Sequence, residues 1–224
     1  MQPNRCPYED FLQRLAEPEV QRRTAVAIER RLKQAEFPMI KELSAYRFAD
    51  VPKLNRKHVL DLARCQFIEK KTNLVISGAP GVGKTHLALA FGREACQRGY
   101  TVKFFTAARL VNTYLEARQE RAILKLEKAI RRCDLVIVDE LGYLPLDRIG
   151  AGHLFDFLSQ CYEQTSLIAT TNLPFADWPQ VLANDERLAG VLLDRLTHHV
   201  HILEIAGDSY RLKSSLEKGK EQQP

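Results

Sequence analysis

The chain has 224 residues, 45% apolar and 27% charged, with 33 Lys and Arg against 28 Asp and Glu for a formal net charge of +5. That length buries one core of ordinary domain size, with room for a small appendage. No run approaches the roughly 18 apolar residues of a membrane span, and the opening MQPNRCPYEDF lacks the apolar core of a signal peptide, so a cytoplasmic protein without a membrane partner is expected.

The charge is unevenly placed. Residues 1–72 hold 15 Lys and Arg against 10 Asp and Glu, whereas residues 73–224 hold 18 of each. A basic N-terminal segment on a neutral body points toward a polyanion such as nucleic acid. Five cysteines, at 6, 65, 96, 133 and 161, form no C-x-x-C pair. That excludes the usual zinc and disulfide patterns and favours reduced, mostly buried thiols, with Cys96 and Cys161 as the alternatives for a reactive one.

From Tyr8 to Glu36 the text is helical. Ala25, Ile28, Leu32 and Ala35 share one face, and Arg22, Arg23, Arg30 and Lys33 cluster on the other, interrupted by Val26. Those arginines either touch DNA or form a solvated face. Pro18 is expected to break the stretch and Pro38 to end it. A further helix is expected over Arg56–Lys70. The chain thus divides into a basic helical segment (1–50), a nucleotide domain (51–213) and a polar tail (214–224).

The apolar run Asn73–Ser77 reads as a strand, and His86–Arg98 as a helix. Between them stands Gly78-Ala79-Pro80-Gly81-Val82-Gly83-Lys84-Thr85. Strand, Gly-rich loop and helix in that order make a phosphate-binding loop. Its glycines let backbone N–H groups converge on phosphate oxygens, and the helix N-terminus adds a positive dipole end. Lys84 supplies a catalytic charge, Thr85 offers a hydroxyl to Mg2+, and His86 completes the nucleotide-contacting set.

Strands follow at Val102–Thr106, Leu135–Asp139, Ser166–Thr171 and Val200–Ile205. Helices are expected over Ala107–Arg118, Glu120–Arg132, Gly150–Tyr162 and Arg187–Leu196. Five strands with helical crossovers predict a doubly wound α/β sheet of the P-loop NTPase class. Leu135-Val136-Ile137-Val138 ends in Asp139-Glu140, at the strand end that meets the ligand crevice. Asp139 suits a metal position and Glu140 suits the base that deprotonates an attacking water. Asn172 ends what should be the strand between the phosphate loop and the acidic pair, where its amide can hold that water or serve turn chemistry. The guanine-reading N-K-x-D pattern is absent, so the expected nucleotide is ATP. Arg195 and Arg211 are candidates for a charge on the γ-phosphate, and spacing does not separate them from Arg148 or Arg187. His198, His199 and His201 invite a metal reading, but no Cys or carboxylate completes a set, so loop and strand histidines are expected.

Taken together, several segments resemble the IstB-like family of AAA+ ATPases, helpers of bacterial insertion-sequence transposons related to DnaC-type helicase loaders. They are Ala35-Glu36-Phe37-Pro38, Asn73–Leu87, Asp139–Asp147, Thr171–Trp178, Leu193-Asp194-Arg195-Leu196 and Gly207–Arg211. The resemblance runs from about Tyr8 to Lys213. It implies an ATPase that self-assembles into a homo-oligomer on duplex DNA and recruits or stimulates a transposase, with its active site between subunits. It assigns Asn172 as a first sensor, Arg195 as a finger reaching a neighbour's nucleotide and Arg211 as a second sensor. The same resemblance gives Ala107–Arg118 a nucleic-acid-facing role and leaves little or no lid domain. Family members usually carry tens of residues before the position of Tyr8, so a shortened DNA-binding segment is expected. Glu36 stands where the family more often has a basic residue. A helicase loader acting with single-stranded DNA, or a relic that only binds ATP, are the alternatives.

Overall fold

The computed structural model describes residues 7–143, 145–207 and 209–210. Its centre is a sheet of β1 (Asn73–Gly78), β2 (Val102–Thr106), β3 (Leu135–Asp139), β4 (Ser166–Thr171) and β5 (Val200–Ile205). All pair in parallel in the spatial order β2-β3-β4-β1-β5. These are the five strands expected from the apolar runs. β3 and β4 are buried along their whole length, as continuous apolar runs require when helices cover both faces.

Parallel neighbours need crossovers, and helices supply them. α4 (Lys84–Gln97) follows β1, α5 (Ala107–Gln119) and α6 (Ile123–Arg131) join β2 to β3, and α7 (Arg148–Cys161) joins β3 to β4. α8 (Trp178–Val181) and α9 (Glu186–Thr197) lead from β4 to β5. Side chains fix where several of these begin. Thr106 Oγ1 accepts from Arg109 N at 3.2 Å, Asp147 Oδ1 from Gly150 N at 2.7 Å, and Asp185 Oδ1 from Leu188 N at 2.9 Å. Each satisfies an amide that the helix leaves without a partner, an interaction of about 1 kcal/mol.

The period of two in the strands divides the core. Leu74, Ile76, Leu135, Ile137, Ile168 and Leu203 pack with Leu87, Leu89 and Phe91 of α4. Val75, Val136, Val138, Leu167 and Ala169 face the other layer, against Leu110, Tyr114, Leu154, Phe157 and Leu192. Each fully buried aliphatic or aromatic side chain contributes about 1.5–3 kcal/mol of transfer free energy.

Two expectations about helices are corrected. α1 spans Pro7–Ala35, 29 residues, and runs through Pro18 without the expected break. Proline removes one i to i−4 bond, which leaves the Arg14 carbonyl without its donor, but this stretch is solvent-exposed and water can satisfy it. α1 ends at Ala35 because Glu36 turns to a left-handed φ of 56°. Along its length the helix joins the body progressively: Ala25 is exposed, Ile28 and Leu32 are half-buried, and Ala35 is buried in the α4-side core. Glu36 forms ion pairs with Lys103 of β2 and Arg109 of α5, and these hold its carboxyl below the usual range, Lys103 foremost.

The single helix expected over Arg56–Lys70 is two, α2 (Arg56–Leu62) and α3 (Gln66–Glu69). Cys65 takes a φ of 62° between them. That turn lets Val59 and Leu62 from one piece and Phe67 and Ile68 from the other enter the same core. Among the described residues, no helix is long and apolar enough to cross a membrane. The expected tail, 214–224, lies outside the described residues.

Candidate nucleotide-binding site

The phosphate loop links the carboxyl end of β1 to the N-terminus of α4. Its glycines are required by backbone and space together. Gly83 has a φ of 98°, and a Cβ there would sit 2.9 Å from Cε2 of Tyr46. Gly81, at φ 84°, lies against the Ser209 side chain. The Gly83 carbonyl opens the α4 ladder by accepting from Leu87 N at 3.1 Å, so the positive end of a 14-residue helix faces the loop. Lys84 Nζ donates to the carbonyls of Gly78 at 2.8 Å and Ala79 at 2.9 Å, which straps the loop to its own helix.

β1, β4 and β3 are neighbours in the sheet, and this brings the acidic pair to the loop. Thr85 Oγ1 lies 3.0 Å from both carboxylate oxygens of Asp139, which is only 4% exposed. Glu140 comes next, exposed, with a left-handed φ of 61°. Thr170 of β4 donates its hydroxyl to Asp139 Oδ1 at 2.5 Å and accepts from Glu140 N at 3.0 Å. Asn172 follows directly on β4, which lies between β1 and β3, and lines the same cleft.

That cleft is open on one side and has a volume of about 780 Å³. One wall is the phosphate loop with Glu140, Tyr143, Thr170, Thr171 and Asn172; the other is the connection after α1, including Met39, Glu42, Tyr46 and Asp50. The connection is fixed to α4 at several points. The ring of His86 donates from Nε2 to the Glu42 carbonyl at 2.9 Å, and Arg93 pairs with the Glu42 carboxylate at 2.9 Å. Tyr46 packs edge-on against His86 and Phe48, at 5.3 and 5.0 Å between ring centres. Burial, and secondarily the charge of Asp50, push its phenol up to about 12. After β5, Tyr210 N donates to the Gly81 carbonyl at 3.0 Å and its ring lies under Arg47.

The other candidate arginines are elsewhere. Arg195 bonds the Ser159 hydroxyl of α7, and its guanidinium lies 4.5 Å from the centre of the Phe155 ring. Arg148 and Arg187 are exposed, and none of the three lines the cleft. Arg211 lies outside the described residues. The histidines meet other rings at steep angles: His198 lies against His199 and Tyr162, and His201 against His58. No cluster of metal-binding side chains occurs among the described residues. Cys65, Cys96 and Cys161 are buried and Cys133 is half-buried, with all four thiols pushed up by desolvation, which removes nucleophilic thiolate at neutral pH.

Sequence reasoning missed Thr170 and the wall formed by residues 39–51. The first had a signal. The register Leu135↔Ser166 to Val138↔Ala169 carries forward to Asp139 beside Thr170, and aligning the two apolar runs would have given it. The second had none, because Tyr46 and Glu42 reach the loop through tertiary packing.

The family described as IstB-like ATP binding protein matches residues 2–218. A protein of insertion sequence IS21 from Pseudomonas aeruginosa, named for ATP binding, is 40% identical over 95% of this chain and 80% of its own length. The chain belongs to the IstB-like ATP-binding family. A relative from insertion sequence IS5376 of Geobacillus stearothermophilus is 39% identical over 92% of this chain and 82% of its own. Among solved structures, AMPPCP-bound DnaA from Aquifex aeolicus superposes with a TM-score of 0.62 at 23% identity, over 83% of this chain and 56% of that one. DnaI gives 0.61 at 20% identity, over 74% of this chain and 91% of that one. These likenesses establish the fold, that of AAA+ P-loop NTPases, and the IstB-like chain spans little more than half of the DnaA chain.

Proposed function

We propose that the protein is a Mg2+-dependent ATPase that assembles with copies of itself on duplex DNA and recruits or stimulates the transposase of an insertion sequence. The carrying observation is the joining of Thr85 and Asp139 at 3.0 Å across the mouth of the phosphate loop, with Glu140 one residue further.

The donor set there fits a hard dication. A hydroxyl and a carboxylate, both oxygen ligands, face one another beside the loop that would carry the phosphates. Thr85 and Asp139 would hold Mg2+, which when bound neutralises charge on the β- and γ-phosphates. The chain's own groups do the rest. Loop amides and Lys84 bind and orient the triphosphate, Glu140 takes the proton of the attacking water, and Asn172 keeps that water in line.

Arg195 is engaged with Ser159 and Phe155 in its own chain and lies outside the cleft. This supports a finger supplied in trans to a neighbour's nucleotide, and hence an oligomer. Arg211 is proposed as the second sensor on the family pattern. The relatives' place in insertion sequences supports the transposition role. The basic residues of α1 support the DNA contact. DnaA bound to AMPPCP and single-stranded DNA, 25% identical with a TM-score of 0.60, is a protein of this fold that holds both ligands.

The test is complementation. Arg195→Ala should bind ATP as a monomer and hydrolyse it poorly, and Lys84→Ala should not bind it. A mixture of the two on duplex DNA should recover activity that neither has alone. No recovery, with both variants folded and the first still binding ATP, would remove the shared active site from the account.

A further inference from the structure

We infer that Thr170 is a positioning residue that sets both acidic groups of the site, the carboxylate of Asp139 and the backbone of Glu140. The inference rests on the Mg2+-ATPase reading and adds a residue that neither the phosphate-loop pattern nor the acidic pair assigns.

The hydroxyl both donates and accepts, with the two roles fixed by its partners. Thr170 Oγ1 lies 2.5 Å from Asp139 Oδ1 and 3.0 Å from Glu140 N. An ionised carboxylate can only accept and an amide can only donate, so the hydroxyl proton goes to Asp139 and a lone pair takes the Glu140 N–H. The first is a charge-assisted O–H···O− bond of the short kind. Main chain adds a third tie, because the Thr170 carbonyl accepts from Leu141 N at 2.8 Å.

The place of these bonds explains their use. Pairing of β3 with β4 runs to Val138↔Ala169 and stops. Beyond it the chain must leave the sheet through Glu140, whose φ of 61° is unusual for a residue with a side chain. Such a backbone persists where its surroundings over-determine it, and here Thr170 holds the residues on both sides of the turn. Asp139 is meanwhile fixed from two directions, by Thr85 from the phosphate loop and by Thr170 from the sheet. Thr170 is 1% exposed, so although it lies along the cleft its hydroxyl is committed to these two partners. Its neighbour Thr171 spends its hydroxyl on Leu173 N at 3.1 Å and makes no such link.

The full-length chain serves for the test, with a fluorescent ATP analogue as probe. Analogue binding is titrated with Mg2+ to find the midpoint at which the metal tightens it, and turnover is measured separately. Thr170→Val keeps the shape and removes the hydroxyl; Thr170→Ser keeps the hydroxyl. The valine variant should raise the Mg2+ midpoint and lower kcat by about 10- to 100-fold, the usual cost of losing an outer-shell partner, while analogue binding without Mg2+ is unchanged. The serine variant should match the parent. A valine variant with the parent's midpoint, or a serine variant as impaired as valine, overturns the assignment. Should valine fail to fold, Thr170→Ala replaces it, and loss of fold in both would overturn the positioning role in favour of a purely stabilising one. A parent chain that shows the Mg2+ midpoint without turnover sinks the ATPase reading alone, since the midpoint still tests Thr170.

Discussion

Lys84 donates to the carbonyl of Gly78 at 2.8 Å, so the residue that opens α4 is tied to the last residue of β1. The ammonium is thereby held inside the loop that would receive the phosphates. Lys84→Ala should remove nucleotide binding with little change in the unliganded fold. Thermal unfolding reads this directly. Saturating ATP at about 100 times Kd adds about 2.7 kcal/mol to the parent, a rise of several degrees. The alanine variant should show no rise, and a parent-like rise would refute the role given to Lys84.

Glu140 carries two burdens, a catalytic carboxylate and a left-handed backbone. Glu140→Gln should keep ATP affinity and lose about 10²- to 10⁴-fold in turnover, the span of general-base contributions. Glu140→Gly should be as inactive yet no less stable than the glutamine variant, because glycine adopts positive φ without strain. A glutamine variant with normal turnover would reassign the base, and a glycine variant markedly less stable than glutamine would contradict the strain argument.

Gly83 and Tyr46 meet where the post-α1 connection crosses the loop. An alanine Cβ would lie 2.9 Å from the tyrosine ring at a φ of 98°. Gly83→Ala should therefore destabilise by about 1–2 kcal/mol from the backbone alone, with a further steric part. In a double-mutant cycle, Tyr46→Ala should relieve only the steric part. Full removal of the Gly83→Ala destabilisation in the Tyr46→Ala background would show that the backbone conformation is not what the glycine supplies.

Buried thiols give a pH signature. Desolvation pushes Cys65 up to about 12 and Cys96 and Cys133 up to about 11, from an ordinary value of 9.0. A group with a raised folded pKa contributes stability that is whole below its unfolded pKa and is lost as pH rises toward the folded one. Stability should therefore fall between about pH 9 and 12. Replacing Cys65 and Cys96 with Ala should flatten that limb relative to neutral pH, as denaturant unfolding would read. At pH 8 a thiol reagent should leave Cys65, Cys96 and Cys161 unmodified in the folded chain; rapid labelling of these positions would contradict their burial.

Much of the site is written in local text. The loop from Gly78 to Thr85, the apolar run into Asp139 and the strand that ends before Asn172 each carry their own spacing, and the five strands follow from their apolar runs. Three things did not. The turn at Cys65 is imposed by packing of Phe67 and Ile68. Pro18 stays in α1 because its surroundings are water, a fact about exposure that residue identity does not carry. The wall formed by Glu42 and Tyr46 depends on contacts with His86, Arg93 and Gly83, distant in sequence. Thr170 stands between these cases. Strand register makes it the neighbour of Asp139, but only once β4 is known to lie beside β3.

The steady-state rate of ATP hydrolysis with Mg2+, at fixed salt, over a range of protein concentrations and with no DNA, duplex DNA or single-stranded DNA, tests the central claim most directly. Holding salt constant matters because backbone contacts make any DNA effect salt-dependent. The account predicts a low basal rate that duplex DNA raises, cooperatively with protein concentration. Stimulation by single strands alone would favour a loader, and a rate that responds to neither DNA would contradict the DNA-assembled ATPase.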